Sequence, residues 1–115
     1  DAGVVKLTRR NDGAALYFSR SPLPHVRGRE PTQAELEGDT FLRHVGLYAY
    51  RPAVLRQWVA LPATPLEQLE KLEQLRALAA GLSIGVAIVD SAEGGVDTPA
   101  DAERAEQRLS AEPYI

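Results

Sequence analysis

The apolar run from Ile84 to Val89 constrains the fold more than any other segment of this sequence. It carries no charge, and its composition is typical of a strand that is buried on both faces. Helical patterns precede and follow it along the chain, and a sheet that is covered by helices defines a layered α/β architecture. The run therefore predicts an α/β fold.

Turn and cap residues delimit the other predicted elements. We predict strands at 4–9, 15–20 and 41–51, and helices at 52–59, 65–80 and 99–109. Asn11-Asp12-Gly13 predicts a hairpin between the first two strands, while Thr64 and Gly81 predict the start and stop of the long helix. Thr98 is the expected cap of the last helix, with Pro99 in its first turn. Residues 21–39 are rich in proline, glycine and charge and predict a long irregular loop.

The resulting order, β-β-β-α-α-β-α, contains few crossovers. It predicts a mixed sheet with flanking helices, which is part of a Rossmann-like fold rather than a complete doubly wound domain. A length of 115 residues suffices for one modest hydrophobic core. No run approaches the roughly 18 apolar residues of a membrane span. The absence of cysteine excludes disulfides and thiolate metal sites, and a cytoplasmic protein is the simplest interpretation.

The first 30 residues carry six cations and three carboxylates, although the whole chain has a net charge of −3. A basic segment on an acidic body attracts small anions. Nucleic-acid binding is disfavoured, because the cations are not interleaved with stacking aromatic residues. A solvated charged surface is the alternative interpretation for Arg9 and Arg10.

Two arginines and a histidine–tyrosine pair are candidate binding residues. Arg20 stands where a predicted strand meets a proline-rich loop, and Arg27 follows seven residues later; their guanidinium groups suit carboxylates and phosphates. In a strand over 41–51, His44 and Tyr48 share a face with Gly46 between them, which leaves room for a hydroxylated ligand. The alternative is a core tyrosine with a satisfied hydroxyl and a surface histidine.

Glu73, Gln74 and Asp97 are weaker candidates. Leucines at every third position of the helix over 65–80 spread around most of its circumference, and Glu73 falls within that apolar arc. A carboxylate there needs a partner, either a polar pocket or an ordinary salt bridge to Arg76 or Lys71; the pattern does not single out Gln74. Asp97 follows two glycines, and it is either an Mg²⁺ ligand or part of a local turn.

Four segments in this order resemble the CMP-Kdo synthetases, the 3-deoxy-manno-octulosonate cytidylyltransferases. The segments are Ala15-Leu-Tyr-Phe-Ser-Arg20 with two following prolines, Leu42-Arg-His-Val-Gly-Leu-Tyr-Ala-Tyr-Arg51, Pro65-Leu-Glu through Leu72-Glu-Gln-Leu-Arg76, and Gly95-Val-Asp-Thr-Pro99 with Asp101. The resemblance covers nearly the whole chain. It implies the carboxy-terminal half of a nucleotide-diphospho-sugar transferase fold, with residues 1–115 forming its sugar-binding and dimerisation half.

The resemblance also implies an activity and roles for individual residues. Such enzymes join CTP and Kdo to form CMP-Kdo and pyrophosphate for lipopolysaccharide biosynthesis, with Mg²⁺, and they are homodimers. Arg20 and Arg27 are then expected to contact the acidic sugar, the former through its carboxylate. His44, Tyr48, Glu73 and Gln74 are expected to bind sugar hydroxyls, and Asp97 to hold the metal.

The sequence departs from the family pattern in two respects. His25-Val26-Arg27 replaces the usual tryptophan and aspartate of the proline loop, so the local geometry of Arg27 is expected to differ from the family pattern. The family's amino-terminal half, which binds the CTP phosphates, has no counterpart here, so we expect little or no transferase activity from this polypeptide by itself. Activation of a sialic acid and a non-catalytic, acidic-sugar-binding or dimer-forming module are the competing hypotheses.

Overall fold

The computed structural model describes residues 3–89, together with 99–100, 102–103 and 106–107. The chain divides into two compact units, one made of Asp1–His44 with Tyr48–Ile88 and the other of Val45–Leu47 with Val89–Ile115. In the second unit, the described residues from 99 onward are helical, in agreement with the predicted last helix. Thr98 and Asp97 lie outside the described residues. In the parts of the chain that are described, no helix is both long and apolar enough to cross a membrane.

The first unit is built on the predicted hairpin. Strands β1 (Lys6–Arg9) and β2 (Ala15–Ser19) pair antiparallel, and the short β3 (Leu42–Arg43) pairs antiparallel with the other edge of β1. The turn between β1 and β2 suits its residues, because Gly13 takes a φ of 91° and the Asp12 carboxylate accepts a hydrogen bond from the Ala14 amide at 3.1 Å. The α/β class and the hairpin are therefore confirmed.

A β-bulge decides which side chains of β2 enter the core. Thr8 pairs with Tyr17 but Arg9 pairs with Ala15, so Leu16 is an extra residue in its strand. Leu16 is 56% exposed, whereas Phe18 is 2% exposed and packs with Leu7 and Leu75. The bulge thus interrupts the simple alternation of buried and exposed positions.

Four helices follow the hairpin in the first unit. They are α1 (Gln33–Glu37), α2 (Pro52–Ala60), α3 (Pro65–Glu70) and α4 (Gln74–Ala79). The prediction of α2 is confirmed, with Pro52 in its first turn. The region 21–39 is not entirely irregular: Thr32 and Glu35 form a reciprocal capping box that starts α1. The sequence contains the Thr-x-x-Glu pattern that is typical of such a helix start, so this short helix could have been predicted.

The prediction of one continuous helix over 65–80 is wrong, because the helix is interrupted at Lys71. Thr64 caps α3 as expected, but Lys71 takes a left-handed conformation with φ 58° and ψ 45° and ends it. A straight helix would need apolar neighbours on most sides to bury leucines at every third position. The break instead lets Leu72 and Leu75 enter the core, while Leu69 stays 82% exposed.

The end of α4 agrees with the prediction. Gly81 has a φ of 85°, its amide donates to the Leu78 carbonyl at 3.0 Å, and the Leu82 amide donates to the Ala77 carbonyl at 3.0 Å. These two bonds form a Schellman motif, which needs a residue that tolerates positive φ. Gly81 is therefore the stop signal that the sequence indicated.

Two predicted strands are much shorter than expected. Residues 41–51 form a strand only at Leu42–Arg43 and do not continue through Gly46, which has a φ of 87°. The run Ile84–Val89 forms a single antiparallel bridge, at Gly85 opposite Ala14. Ile84 and Val86 pack against the core, but Ile88 is 41% exposed, so the expected burial on both faces is wrong for this structure. Among the described residues, no other strand pairs with this run.

We expect Phe18→Ala to lower the free energy of unfolding by about 3–5 kcal/mol, because it leaves a cavity in the core. Leu16→Ala in the same strand is the control, and its exposed side chain should contribute about 1 kcal/mol or less. Urea denaturation followed by circular dichroism measures both changes. Equal losses would contradict the bulged register of β2.

Replacement of Lys71 by glycine is expected to raise the free energy of unfolding by about 0.5–1 kcal/mol, because glycine adopts left-handed backbone angles without a Cβ clash. Lys71→Ala removes the same side chain and keeps the clash, so it should change stability little. Thermal unfolding of the three proteins tests this. A destabilising Lys71→Gly substitution would show that the backbone is not left-handed there.

Candidate functional site

The carboxyl end of β2 presents Arg20, which is bonded to the turn between α3 and α4. Its Nε donates to the Glu70 carbonyl at 2.9 Å and its Nη2 donates to the Lys71 carbonyl at 3.3 Å. Lys6 Nζ donates to the Arg20 carbonyl at 2.8 Å. The guanidinium group is thus held at a strand end, partly exposed, rather than extended into solvent.

Glu70 is a functional candidate that the sequence analysis missed. Its carboxylate accepts hydrogen bonds from Ser19 Oγ at 2.7 Å and from the Arg20 amide at 3.1 Å. The Ser19 hydrogen bond and the Arg20 amide lower the pKa of Glu70, so the carboxylate is ionised at neutral pH. Its sequence position, inside a charged helical pattern, gave no sign of this role.

His44 and Tyr48 lie together, although not on a strand. Tyr48 Oη and His44 Nε2 are 2.5 Å apart, and the His44 ring packs edge-on against Phe18 with ring centroids 5.4 Å apart. Burial lowers the pKa of His44, while burial and the neighbouring Tyr50 raise the pKa of Tyr48 to about 12. At neutral pH both groups are therefore uncharged, and the tautomer of the His44 ring sets the direction of the hydrogen bond between them.

An aromatic cluster extends from this pair. Tyr48 stacks with Tyr50 at a centroid distance of 5.9 Å, and Trp58 of α2 meets Tyr50 edge-on at 5.3 Å. Contacts of this kind fix ring orientation in addition to burying apolar area. The cluster attaches α2 to the segment that carries Tyr48, and the sequence analysis did not foresee the part played by Trp58.

Gln74 is a polar residue within the core. It lies in α4, which packs against β2, and it is 8% exposed. Its Nε2 has no hydrogen-bond acceptor in the described structure. Such an orphaned donor is costly, at about 1–3 kcal/mol, and it is the kind of atom that an oxygen of a ligand satisfies.

The expected environment of Glu73 is wrong. Glu73 precedes α4 and is exposed, because the break at Lys71 removes it from the apolar arc of a continuous helix. The carboxylate that is buried in this region is Glu67, which accepts two hydrogen bonds from Arg76, at 2.8 and 2.5 Å. Arg76, one of the partners considered for Glu73, is thus hydrogen-bonded to Glu67.

The remaining predicted site residues are not brought to this region by a described contact. Arg27 is exposed in a turn next to Gly28, whose φ is 81°. Asp97 lies outside the described residues, so its metal-binding role stays a prediction. Within the described ranges, no group of three or more His, Cys, Asp or Glu side chains could hold a metal ion.

Arg20 at the end of β2 and the His44–Tyr48 pair beside Phe18 offer groups that suit a hydroxylated anion. The guanidinium group of Arg20 supplies positive charge and directional donors, which match a carboxylate. The His44–Tyr48 pair is neutral and polar, and its groups match hydroxyls. We call Arg20, His44, Tyr48 and Gln74 the candidate site from here on.

The amino-acid sequence matches a known family over most of its length. Residues 1–84 match the family model described as cytidylyltransferase. The chain therefore belongs to the cytidylyltransferase family, a class of nucleotidyltransferases.

Its relatives specify the resemblance further. The chain is similar to proteins named 3-deoxy-manno-octulosonate cytidylyltransferase. It is 46% identical to that of Xanthomonas campestris pv. campestris strain 8004 over 113 residues, which are 96% of this chain and 45% of the relative. It is 51% identical to that of Photorhabdus laumondii over 99 residues, 85% of this chain and 40% of the relative. The resemblance inferred from the four segments is confirmed.

A solved structure agrees with these relatives. The chain is 40% identical to a CMP:2-keto-3-deoxy-manno-octonic acid synthetase complexed with CTP, with a TM-score of 0.80, over 96% of this chain and 43% of that one. The predicted nucleotidyltransferase fold is thereby confirmed. The chain spans less than half the length of the relatives that it matches.

His44 is expected to titrate below the ordinary histidine pKa of about 6.5, because burial disfavours the imidazolium. The unfolded chain then takes up this proton first as the pH falls, so the free energy of unfolding falls below about pH 6.5 and levels off below the folded pKa. An NMR titration of the His44 ring gives the pKa directly.

The matched variant is His44→Gln, which keeps a polar side chain and removes the titration. Urea unfolding at about pH 7.5 and about pH 5.5 should show a smaller difference in this variant than in the original chain. An identical difference in both proteins would refute the link between His44 and stability.

Proposed function

We propose that this chain is the carboxy-terminal, sugar-binding part of a CMP-Kdo synthetase. The observation that carries the proposal is the contact of Phe18 with His44 of the neutral His44–Tyr48 pair, because Arg20 follows Phe18 by only two residues along the chain. Kdo has a carboxylate and several hydroxyls, which are the groups that this combination matches.

The orphaned amide of Gln74 supports the same proposal. A buried donor without an acceptor is unfavourable in the unliganded protein. A sugar oxygen that accepted this hydrogen bond would remove the cost and add to the affinity. Glu73, at the exposed start of α4, and Arg27, in the loop after β2, belong to the proposal as further sugar contacts on the basis of the family resemblance.

The reaction proposed for the complete enzyme is attack of the anomeric hydroxyl of Kdo on the α-phosphate of CTP, with release of pyrophosphate. The residues described here would bind and orient the sugar, and orientation is a large part of catalysis in a displacement of this kind. Mg²⁺, when bound, would neutralise phosphate charge, and Asp97 is the residue proposed to hold it. The CTP phosphates would be bound by a part of the enzyme outside the matched region.

The proposal includes assembly and location. A homodimer is proposed because the family resemblance implies one. A cytoplasmic location is proposed because the reaction consumes CTP, a cytoplasmic metabolite, and the product would serve lipopolysaccharide biosynthesis. Sedimentation at several concentrations separates a defined dimer from monomer or open-ended association.

The coverage of the relatives supports a second candidate function for this polypeptide by itself. Because it spans 45% of the Xanthomonas campestris relative, it is also suited to be a non-catalytic module that binds an acidic sugar. The two candidates share the sugar site and differ in turnover. Assay of CMP-Kdo formation by the purified chain with CTP, Kdo and Mg²⁺ distinguishes them, and we expect little or no product.

Calorimetric titration with Kdo tests the sugar site. We expect measurable binding that is weakened roughly ten- to hundredfold by Arg20→Lys, because an ammonium cannot replace the planar fork of a guanidinium on a carboxylate. Arg56→Lys on the exposed surface of α2 makes the same chemical change elsewhere and should leave the affinity unaltered. Heat at the level of buffer dilution for the original chain would overturn the proposed function.

A further inference from the structure

We propose that Glu70 is a positioning residue for Arg20, and that it sets the affinity of the site for the carboxylate of the sugar. The inference rests on the proposed function, in which Arg20 binds that carboxylate. Glu70 does not contact the ligand in this proposal. It acts by fixing where the guanidinium group of Arg20 stands.

The hydrogen bonds around Glu70 hold both ends of the same arginine. The Glu70 carboxylate accepts from the Arg20 amide at 3.1 Å, which fixes the backbone, and the Glu70 carbonyl accepts from Arg20 Nε at 2.9 Å, which fixes the side chain. The second carboxylate oxygen accepts from Ser19 Oγ at 2.7 Å. Glu70 therefore holds Arg20 at two points: the Glu70 carboxylate binds the main-chain amide of Arg20, and the Glu70 carbonyl binds the side chain of Arg20.

The end of α3 explains why these carbonyls accept from a side chain. The last carbonyls of a helix have no intrahelical donor. Because α3 ends at Glu70 and Lys71 is left-handed, the carbonyls of both residues accept from Arg20 instead. A cation at a helix carboxyl end is also favoured by the helix dipole. The arginine is thus a cap for α3 as well as a candidate ligand-binding group.

Electrostatics and positioning predict opposite effects for the loss of the Glu70 charge. The carboxylate is ionised, and an ionised carboxylate near an anion site repels the anion. If Glu70 acted through its charge, Glu70→Gln would strengthen the binding of an acidic sugar. If Glu70 positions Arg20, the same substitution weakens binding, because an amide cannot accept at both of its terminal atoms. The sign of the change separates the two mechanisms.

The experiment is a double-mutant cycle with Kdo as the probe, measured by calorimetry on the complete 115-residue chain. We expect Glu70→Gln to weaken Kdo binding roughly tenfold and to have almost no effect in the Arg20→Lys background. Binding of the methyl ester of Kdo, which lacks the negative charge, should change much less. The matched control is Glu37→Gln, which removes an exposed carboxylate from α1 and should leave the affinity for Kdo unchanged.

A second measurement makes the inference independent of the proposed function. In the unliganded chain, NMR measures solvent exchange of the Arg20 amide proton, whose acceptor is the Glu70 carboxylate. This proton should exchange faster in Glu70→Gln than in the original chain, and Glu37→Gln should leave its rate unaltered. If the original chain does not bind Kdo, the proposed function fails and these rates still decide whether Glu70 holds Arg20.

Three results would overturn the inference. They are tighter Kdo binding in Glu70→Gln, an equal effect of Glu70→Gln in the original and Arg20→Lys backgrounds, and unchanged exchange of the Arg20 amide proton. Thermal unfolding of every variant accompanies the titrations. A Glu70→Gln chain that unfolds below the assay temperature is replaced by Ser19→Ala, which removes a single donor to the same carboxylate and should weaken Kdo binding in the same direction.

Discussion

The left-handed backbone of Lys71 is the constraint on which the described first unit depends. It ends α3 and starts a turn from which Leu72 and Leu75 enter the core beside Phe18. The same turn lets Arg76 of α4 reach back to Glu67 of α3 with two hydrogen bonds. This pair is partly buried, and it contributes mainly by geometry, because desolvation offsets much of its attraction. The turn thus determines the packing of both helices.

The turn also connects the core to the candidate site. It leaves the carbonyls of Glu70 and Lys71 as acceptors for Arg20, and it allows Gln74 to begin a new helix with its side chain buried. Of the three buried polar residues that are described, Ser19 and Glu67 have hydrogen-bond partners, while the Gln74 amide nitrogen has none. Native proteins keep few such orphaned donors, and each one calls for an explanation such as a functional role or a bound water.

The candidate site combines a charged group with neutral ones, and each is controlled by its surroundings. Arg20 supplies a guanidinium group at a helix end, and Glu70 stays anionic through the Ser19 hydroxyl and the Arg20 amide. Burial keeps the His44–Tyr48 pair neutral. In the proposed function, this cation would bind the carboxylate of an acidic sugar and the neutral pair would bind its hydroxyls.

Local sequence determined the features of this protein that need only a few neighbouring residues. The hairpin turn at Gly13, the Thr64 cap, Pro52 in α2 and the Gly81 stop were all predictable, because each depends on backbone preferences of one or two residues. Four short segments were also sufficient to indicate the family. Tertiary structure decided the break at Lys71, the bulge at Leu16 and the partners of Arg20, since each depends on contacts between segments about 50 residues apart or on pairing register. The leucine periodicity by itself predicts one continuous helix. In the folded structure only some of these leucines, such as Leu72 and Leu75, are buried, while Leu69 is exposed.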